Sequence, residues 1–373
     1  GMARIQVIAS YTPSLINFRG PLIKRLISLG HEVVACSPGD DQNTLNTLQS
    51  LGVTHYSYPL QRTGSSPIAD LRTYKSLQGI MDHVRPTHLL AYTIKPVIYG
   101  CLAAKSCNIE NIHAIITGLG TSFQASSPAG TARRFIVQRL YKQALRGCSS
   151  VIFQNPDDRT LFIDHGLVNH SSAKLTNGSG IDLNHYRHRV GSFTKPVFLL
   201  MARLIHEKGI LIYAEAARTV KETFPNAEFR LAGFFENHPD AIHHDEVEQW
   251  VKTGIITYVG KLEDVRNELI NCSVYCLPSY YREGVPRSIL EALATGRPII
   301  TTDSPGCRET VTPGVNGWIV PPRDSRALAD AMIDACQKHT QLEIMGNSSR
   351  ELAESRFDVE KVNDDIVSIM NLA

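Results

Sequence analysis

The chain has 373 residues, too many for one ordinary hydrophobic core and a fit for two domains of common size. It is 43% hydrophobic and 20% charged, and no apolar run approaches the roughly 20 residues of a membrane span, which excludes disordered, fibrous and membrane-spanning classes. A net charge of +2 conceals an asymmetry: residues 1–190 carry 19 Lys and Arg against 10 Asp and Glu, and the remainder 19 against 26, so a basic half is joined to an acidic one.

In chain order, Gly1 ahead of Met2 reads as a remnant of tag removal, and the apolar stretch after it as a first strand rather than a signal peptide, since it lacks a basic leader and a cleavage site. The strand-like "RIQVIAS", the amphipathic "PLIKRLISLG" and the strands "HEVVACS", "THLLAYT" and "IHAIIT" follow, a βα rhythm that predicts a parallel sheet covered by helices. "TARRFIVQRLYKQALRG" is expected to be helical, with Arg139, Lys142 and Arg146 along one side and Ile136, Leu140 and Ala144 along another. After the break "GSFTKP" (191–196) the rhythm restarts with "VFLLMAR", "EFRLAG", "IITYVG", "SVYCLPS" and "RPIITTD", which predicts a second parallel sheet. The tail "RFDVEKVNDDIVSIMNLA" reads as a final helix. The expected domains are 1–190, 191–355, and a terminal helix over 356–373 that returns to the first domain, with two doubly wound Rossmann-like α/β domains facing a cleft. The eight cysteines lack CxxC spacing and read as buried, reduced thiols, which suits a cytoplasmic protein.

Nucleotide motifs constrain the chemistry. "GLGTSF" at Gly118 places Phe123, and "GSGIDL" at Gly178 places Leu183, where a dinucleotide fingerprint needs its third glycine. No GxxxxGK[ST] occurs, and no D-x-D is present to hold a divalent cation on a diphosphate, so no metal and no separate cofactor is expected. Arg203 and Lys208 in "MARLIHEKG" follow the strand Val197–Leu200, where two cations could clamp phosphates. In "REGVPRSILEAL", Glu283 lies in a loop and Glu291 in the helix that follows. Eight helical residues rise about 12 Å, too far for two carboxylates to share a proton or a metal. They are expected to grip separate parts of one ligand, with the helix start near Gly284 to Pro286 offering backbone N–H groups to an anion between them. Hydroxyl, phosphate and hydroxyl in sequence describe a nucleotide sugar.

These residues resemble the retaining glycosyltransferases of family 4, with the two-domain fold called GT-B. The likeness covers nearly the whole chain and rests on Glu283/Glu291, "ARLIHEKG", "GRPIITTDSPGCRETV" and "NGWIVPPRD". It implies that Arg203 and Lys208 bind the donor diphosphate, that Glu283 contacts the donor sugar at the reacting centre, and that Glu291 holds the ribose. Gly284, Val285 and Pro286, with Gly233 and Leu262 after the second and third strands of the second sheet, complete the expected donor set. Ala202 replaces a glycine common in relatives, and no histidine of the family type stands near "TGLG", so no catalytic histidine is carried over.

"YTIKP", "TGLG" and "VIFQNPDD" resemble a bacterial branch that transfers hexosamine-type sugars to glycans on polyprenyl diphosphate during assembly of surface polysaccharide or glycoprotein glycans. Asn17, Arg19, Tyr92, Thr93, Lys95, Gly118 and Gly120, at strand ends of the first sheet, are the expected acceptor-binding set. The expected partners are a UDP-sugar donor, a lipid-linked or glycan acceptor, and the anionic inner face of the cytoplasmic membrane, touched peripherally by the basic half; nucleic acid is not among them. A nucleotide-sugar epimerase of the same fold and a non-catalytic sugar-binding protein are the competing readings.

Overall fold

The computed structural model describes every residue except 63, 65, 121, 124–127, 192 and 193; the expected interdomain break therefore lies partly outside the described residues. Two compact units divide the chain, Gly1–Ser179 with Val359–Ala373, and Gly180–Asp358. The first boundary falls ahead of the expected 190/191, because residues 180–189 bond into the second unit: Ile181 N–H donates to Phe357 O at 2.7 Å, and Arg189 N–H donates to Thr295 O at 3.0 Å. Counted over these units, 18 Lys and Arg face 12 Asp and Glu in the first (+6), and 20 face 24 in the second (−4), so the asymmetry is smaller than the split at 190 suggests.

The first unit holds a seven-stranded sheet in the order β3-β2-β1-β4-β5-β6-β7. Its strands are β1 (Arg4–Ile8), β2 (Glu32–Ser37), β3 (Thr54–Ser57), β4 (His88–Tyr92), β5 (Asn111–Ile116), β6 (Ser150–Phe153) and β7 (Ala173–Leu175). The second holds six strands in the order β10-β9-β8-β11-β12-β13: β8 (Val197–Met201), β9 (Glu228–Ala232), β10 (Thr257–Gly260), β11 (Val274–Leu277), β12 (Ile299–Thr302) and β13 (Gly317–Val320). The registered pairs are parallel. Central strands read as unbroken apolar runs, such as "VFLLM" with all five residues buried, because both faces are covered, whereas the edge strand "THYS" is only partly shielded. In each sheet the strand order reverses once, between β1 and β4 and between β8 and β11. Loops that leave two such neighbours diverge, which opens the crevice where open α/β sheets bind ligands.

The terminal helix, Val359–Ile369, belongs to the first unit. Arg25 on helix Gly20–Ser28 pairs with its Asp364 and, at 3.4 Å, with Glu360. The expected helix around Arg139 spans Pro128–Leu145 and buries Tyr141, Ala144 and Leu145. Its expected apolar stripe is partly buried: Leu140 and Ala144 pack on the core, whereas Ile136 is 56% exposed and its neighbour Phe135 63% exposed. All eight cysteines are free, and six are buried. Among the described residues, no helix is long and apolar enough to cross a membrane.

Candidate functional site

The loops after β8 and β11 leave the second sheet side by side at its reversal point. The first, residues 202–209, ends in a short turn over His206–Lys208 and in Gly209, whose φ of +79° starts helix Ile210–Thr223. Asp240 supports that turn by accepting from the Glu207 N–H at 3.0 Å. One carbonyl then joins the two loops: Glu207 O accepts from the N–H groups of Tyr280 and Tyr281 at 2.8 and 2.9 Å, and from Ser279 Oγ at 3.3 Å. Gly306 backs the second loop so closely that a Cβ there would lie 2.5 Å from Glu283 O and 2.6 Å from Gly284 O.

This framework brings Lys208 and Glu283 together. Lys208 Nζ donates to Glu283 Oε1 at 2.5 Å and to Oε2 at 3.0 Å, with side-chain exposures of 13% and 7%. The ammonium also lies 4.4 Å from the centre of the Tyr281 ring, and the Arg203 guanidinium lies 5.6 Å from the same ring. Arg203 in turn faces Glu236 at 3.4 Å. Two cations and an aromatic face thus converge at the strand ends, and each cation has a carboxylate partner. An anion entering here would compete with those carboxylates for the two cations. Burial and neighbouring Asp240 push the Glu207 carboxyl above its ordinary range.

Pro286 caps helix Arg287–Thr295 from outside, one position earlier than a first-turn residue, with φ −62° and ψ 120°. Gly284 and Val285 are buried at the turn. Glu291 lies along the helix with buried Leu290 and Ala292 as neighbours, and burial raises its carboxyl above the ordinary range; the Arg287 guanidinium and the Tyr186 O–H pull the other way. Tyr186 O–H donates to Glu291 Oε2 at 2.5 Å. Gly233 serves close approach, because a Cβ there would stand 1.9 Å from Ala202 O, at the base of the loop that carries Arg203. Leu262 is partly buried against the core of the second unit.

In the first unit the expected acceptor-side residues gather at the ends of β1, β4 and β5, with different exposures. Asn17 is exposed at the end of a short helical turn, Ser14–Asn17. Arg19 and Tyr92 are buried instead, the guanidinium 5.0 Å over the ring and the tyrosine hydroxyl 2.7 Å from Ser14 Oγ. Packed against each other, Arg19 and Tyr92 are both largely withdrawn from solvent. Lys95 donates to Asp70 Oδ1 at 2.9 Å and to Gln61 O at 2.6 Å, so its charge is already matched. Thr93 holds φ +70° and donates to Ser10 Oγ at 2.9 Å. Gly118 is half-buried and Gly120, with φ +56°, is buried in the loop after β5.

Residues 195–338 match the family described as glycosyl transferases group 1, and residues 15–155 match glycosyl transferase 4-like proteins. The chain belongs to the family 4 glycosyltransferases of GT-B fold. This glycosyltransferase is 26% identical over 340 residues, 88% of both chains, to the N,N'-diacetylbacillosaminyl-diphospho-undecaprenol alpha-1,3-N-acetylgalactosaminyltransferase of Campylobacter jejuni. It is 24% identical over 322 residues, 81% of this chain and 79% of the other, to the UDP-Gal:alpha-D-GlcNAc-diphosphoundecaprenol alpha-1,3-galactosyltransferase of Escherichia coli. Among solved structures, sucrose-phosphate synthase of Thermosynechococcus elongatus shares the fold with a TM-score of 0.81 at 17% identity, over 99% of this chain and 98% of that one. Sequence reasoning did not find Tyr186, Glu236 or Tyr281. Tyr281 lies two positions before Glu283, whereas nothing local marks Tyr186, which lies 105 residues from its partner.

Proposed function

We propose that this glycosyltransferase is retaining and metal-independent, and that it moves a hexosamine-type sugar from a UDP-sugar to a glycan carried on polyprenyl diphosphate. The observation that carries the reading is the paired Lys208 and Glu283 beside Arg203 at the reversal point of the second sheet. Two relatives whose names specify diphospho-undecaprenol acceptors support the acceptor class, and one whose name specifies UDP-Gal supports the donor class. Arg203, Lys208 and the helix start after Pro286 face the charge that grows on the departing diphosphate as its bond to the anomeric carbon breaks. The acceptor hydroxyl attacks from the same face, its oxygen bonds that carbon, and its proton passes to the leaving phosphate oxygen. Glu283 is freed from Lys208 to contact the donor sugar, and Glu291 accepts from the ribose hydroxyls. The second unit is the donor side and the first the acceptor side.

The test is transfer of labelled sugar from a panel of UDP-sugars to a polyprenyl-diphosphate glycan in excess EDTA. Product with a retained anomeric configuration is expected. Loss of activity restored by a divalent metal would overturn metal independence, and donor conversion without acceptor would favour an epimerase.

The basic helix Pro128–Leu145 supports docking to an anionic leaflet: Arg133, Arg139, Lys142 and Arg146 are exposed beside exposed Phe135 and Ile136, with Arg139 5.8 Å over the Phe135 ring. Each basic residue near such a surface contributes about 1 kcal/mol, and the attraction fades as salt shortens the Debye length below about 8 Å. Replacing Arg139, Lys142 and Arg146 with glutamine should release the protein from anionic vesicles in a flotation assay, while transfer to a short soluble acceptor stays near wild type. Vesicle binding indifferent to salt and to the triple substitution would remove the helix from the docking surface.

A further inference from the structure

Glu291 sits on a helix, yet the group that orients its carboxylate comes from a distant segment, residues 180–189. That segment is tied along helix Arg287–Thr295 at several points. Asp182 Oδ1 accepts from the N–H groups of Asn184 and His185 at 3.0 and 3.1 Å, and Tyr186 N–H donates to Asp182 O at 3.0 Å, which closes a tight turn before the tyrosine. Arg350 then bridges segment and helix, one guanidinium nitrogen donating to Tyr186 O at 2.7 Å and to Ala294 O at 2.8 Å. Arg189 N–H donates to the carbonyl of the next helical residue, Thr295 O, at 3.0 Å. The Tyr186 backbone is thus held relative to the helix that carries Glu291, and its ring is buried with 8% exposure.

A carboxylate on a flexible side chain turns readily about its last torsion, and a fixed phenol on one oxygen sets its plane. With Oε2 engaged by Tyr186 at 2.5 Å, the group presents Oε1 in one orientation. We infer that Tyr186 is a positioning residue for Glu291, and that by fixing this carboxylate it sets the preference for nucleotides bearing ribose over those bearing 2′-deoxyribose. The inference rests on the reading of Glu291 as the group that accepts from ribose hydroxyls. A loosely held carboxylate still bonds one hydroxyl, but it forfeits the geometry that rewards two.

The test is calorimetric titration of wild type and Tyr186→Phe with UDP, GDP, ADP and TDP, and with the other sugar form, ribose or 2′-deoxyribose, of the one that binds best. Wild type should favour the ribose form. Tyr186→Phe, which keeps the ring and removes the hydroxyl, should lose roughly tenfold in affinity for the ribose form and little for the deoxy form, so that the ratio collapses. In a Glu291→Ala background the same substitution should change neither affinity. A Tyr186→Phe protein that keeps the wild-type ratio, or that weakens both forms equally, overturns the positioning role and leaves the ribose reading intact. A wild type that binds both forms alike, or binds none of the nucleotides, overturns the ribose reading and this inference with it.

Discussion

Lys208→Ala should lower turnover by roughly 10²-fold or more, the loss typical when a preorganised group facing developing charge is removed. The substitution also takes from Glu283, a carboxylate 7% exposed, the ammonium that contacts both of its oxygens. Breaking a buried pair from one side commonly costs about 3–5 kcal/mol, because one charge stays buried without its partner. The single variants Lys208→Ala and Glu283→Ala should therefore each be less stable than wild type, and the double variant should be more stable than their summed losses imply. Turnover behaves differently, since restoring stability does not restore a phosphate-facing cation: the double variant should be at least as slow as Lys208→Ala. Denaturant melts with single-turnover transfer assays on all four proteins separate the two effects. Wild-type turnover in Lys208→Ala would remove the phosphate clamp from the mechanism.

Gly209→Ala should damage the same site through the backbone alone. Gly209 holds φ +79°, and an added Cβ would stand 2.0 Å from Pro278 O and 2.6 Å from Pro278 C, both backbone atoms that cannot swing aside. The loops after β8 and β11 must separate to make room, which stretches the bonds from Tyr280 and Tyr281 to Glu207 O and draws Lys208 away from Glu283. The left-handed conformation and the overpacking together should cost about 2–4 kcal/mol, and donor affinity should fall with them. Gly254→Ala is the control, with φ +73° and nothing within 4 Å of the added Cβ. It should show only the conformational cost, about 1–2 kcal/mol, with donor affinity unchanged. Equal losses of donor affinity in the two variants would mean that general destabilisation, not the contact between loops, is responsible.

Much of this architecture follows from local pattern. Unbroken apolar runs such as Val197–Met201, separated by amphipathic segments, specify parallel strands covered on both faces, and the second run of that rhythm specifies a second sheet. The spacing of Arg203, Lys208 and Glu283 relative to those runs puts all three in loops beyond strand ends, since a loop begins where the apolar run stops, and puts Glu291 in the helix that follows. Family membership was legible for the same reason, being carried by contiguous motifs.

Partnership was not legible, because it depends on which strands become neighbours. Lys208 meets Glu283 because β8 and β11 lie side by side with β9 and β10 on the far flank, and Tyr186 meets Glu291 because Arg350 and the Arg189–Thr295 bond, among other ties, hold two distant segments together. Burial likewise belongs to the assembled unit. Arg19, in the turn before helix Gly20–Ser28, and Phe135 look interchangeable in sequence with any surface cation or aromatic, yet the guanidinium is packed over the Tyr92 ring and the phenyl ring faces solvent. A residue's type limits what it can do, whereas its neighbours, supplied from elsewhere in the chain, decide whether its charge or ring meets water, a partner or a ligand.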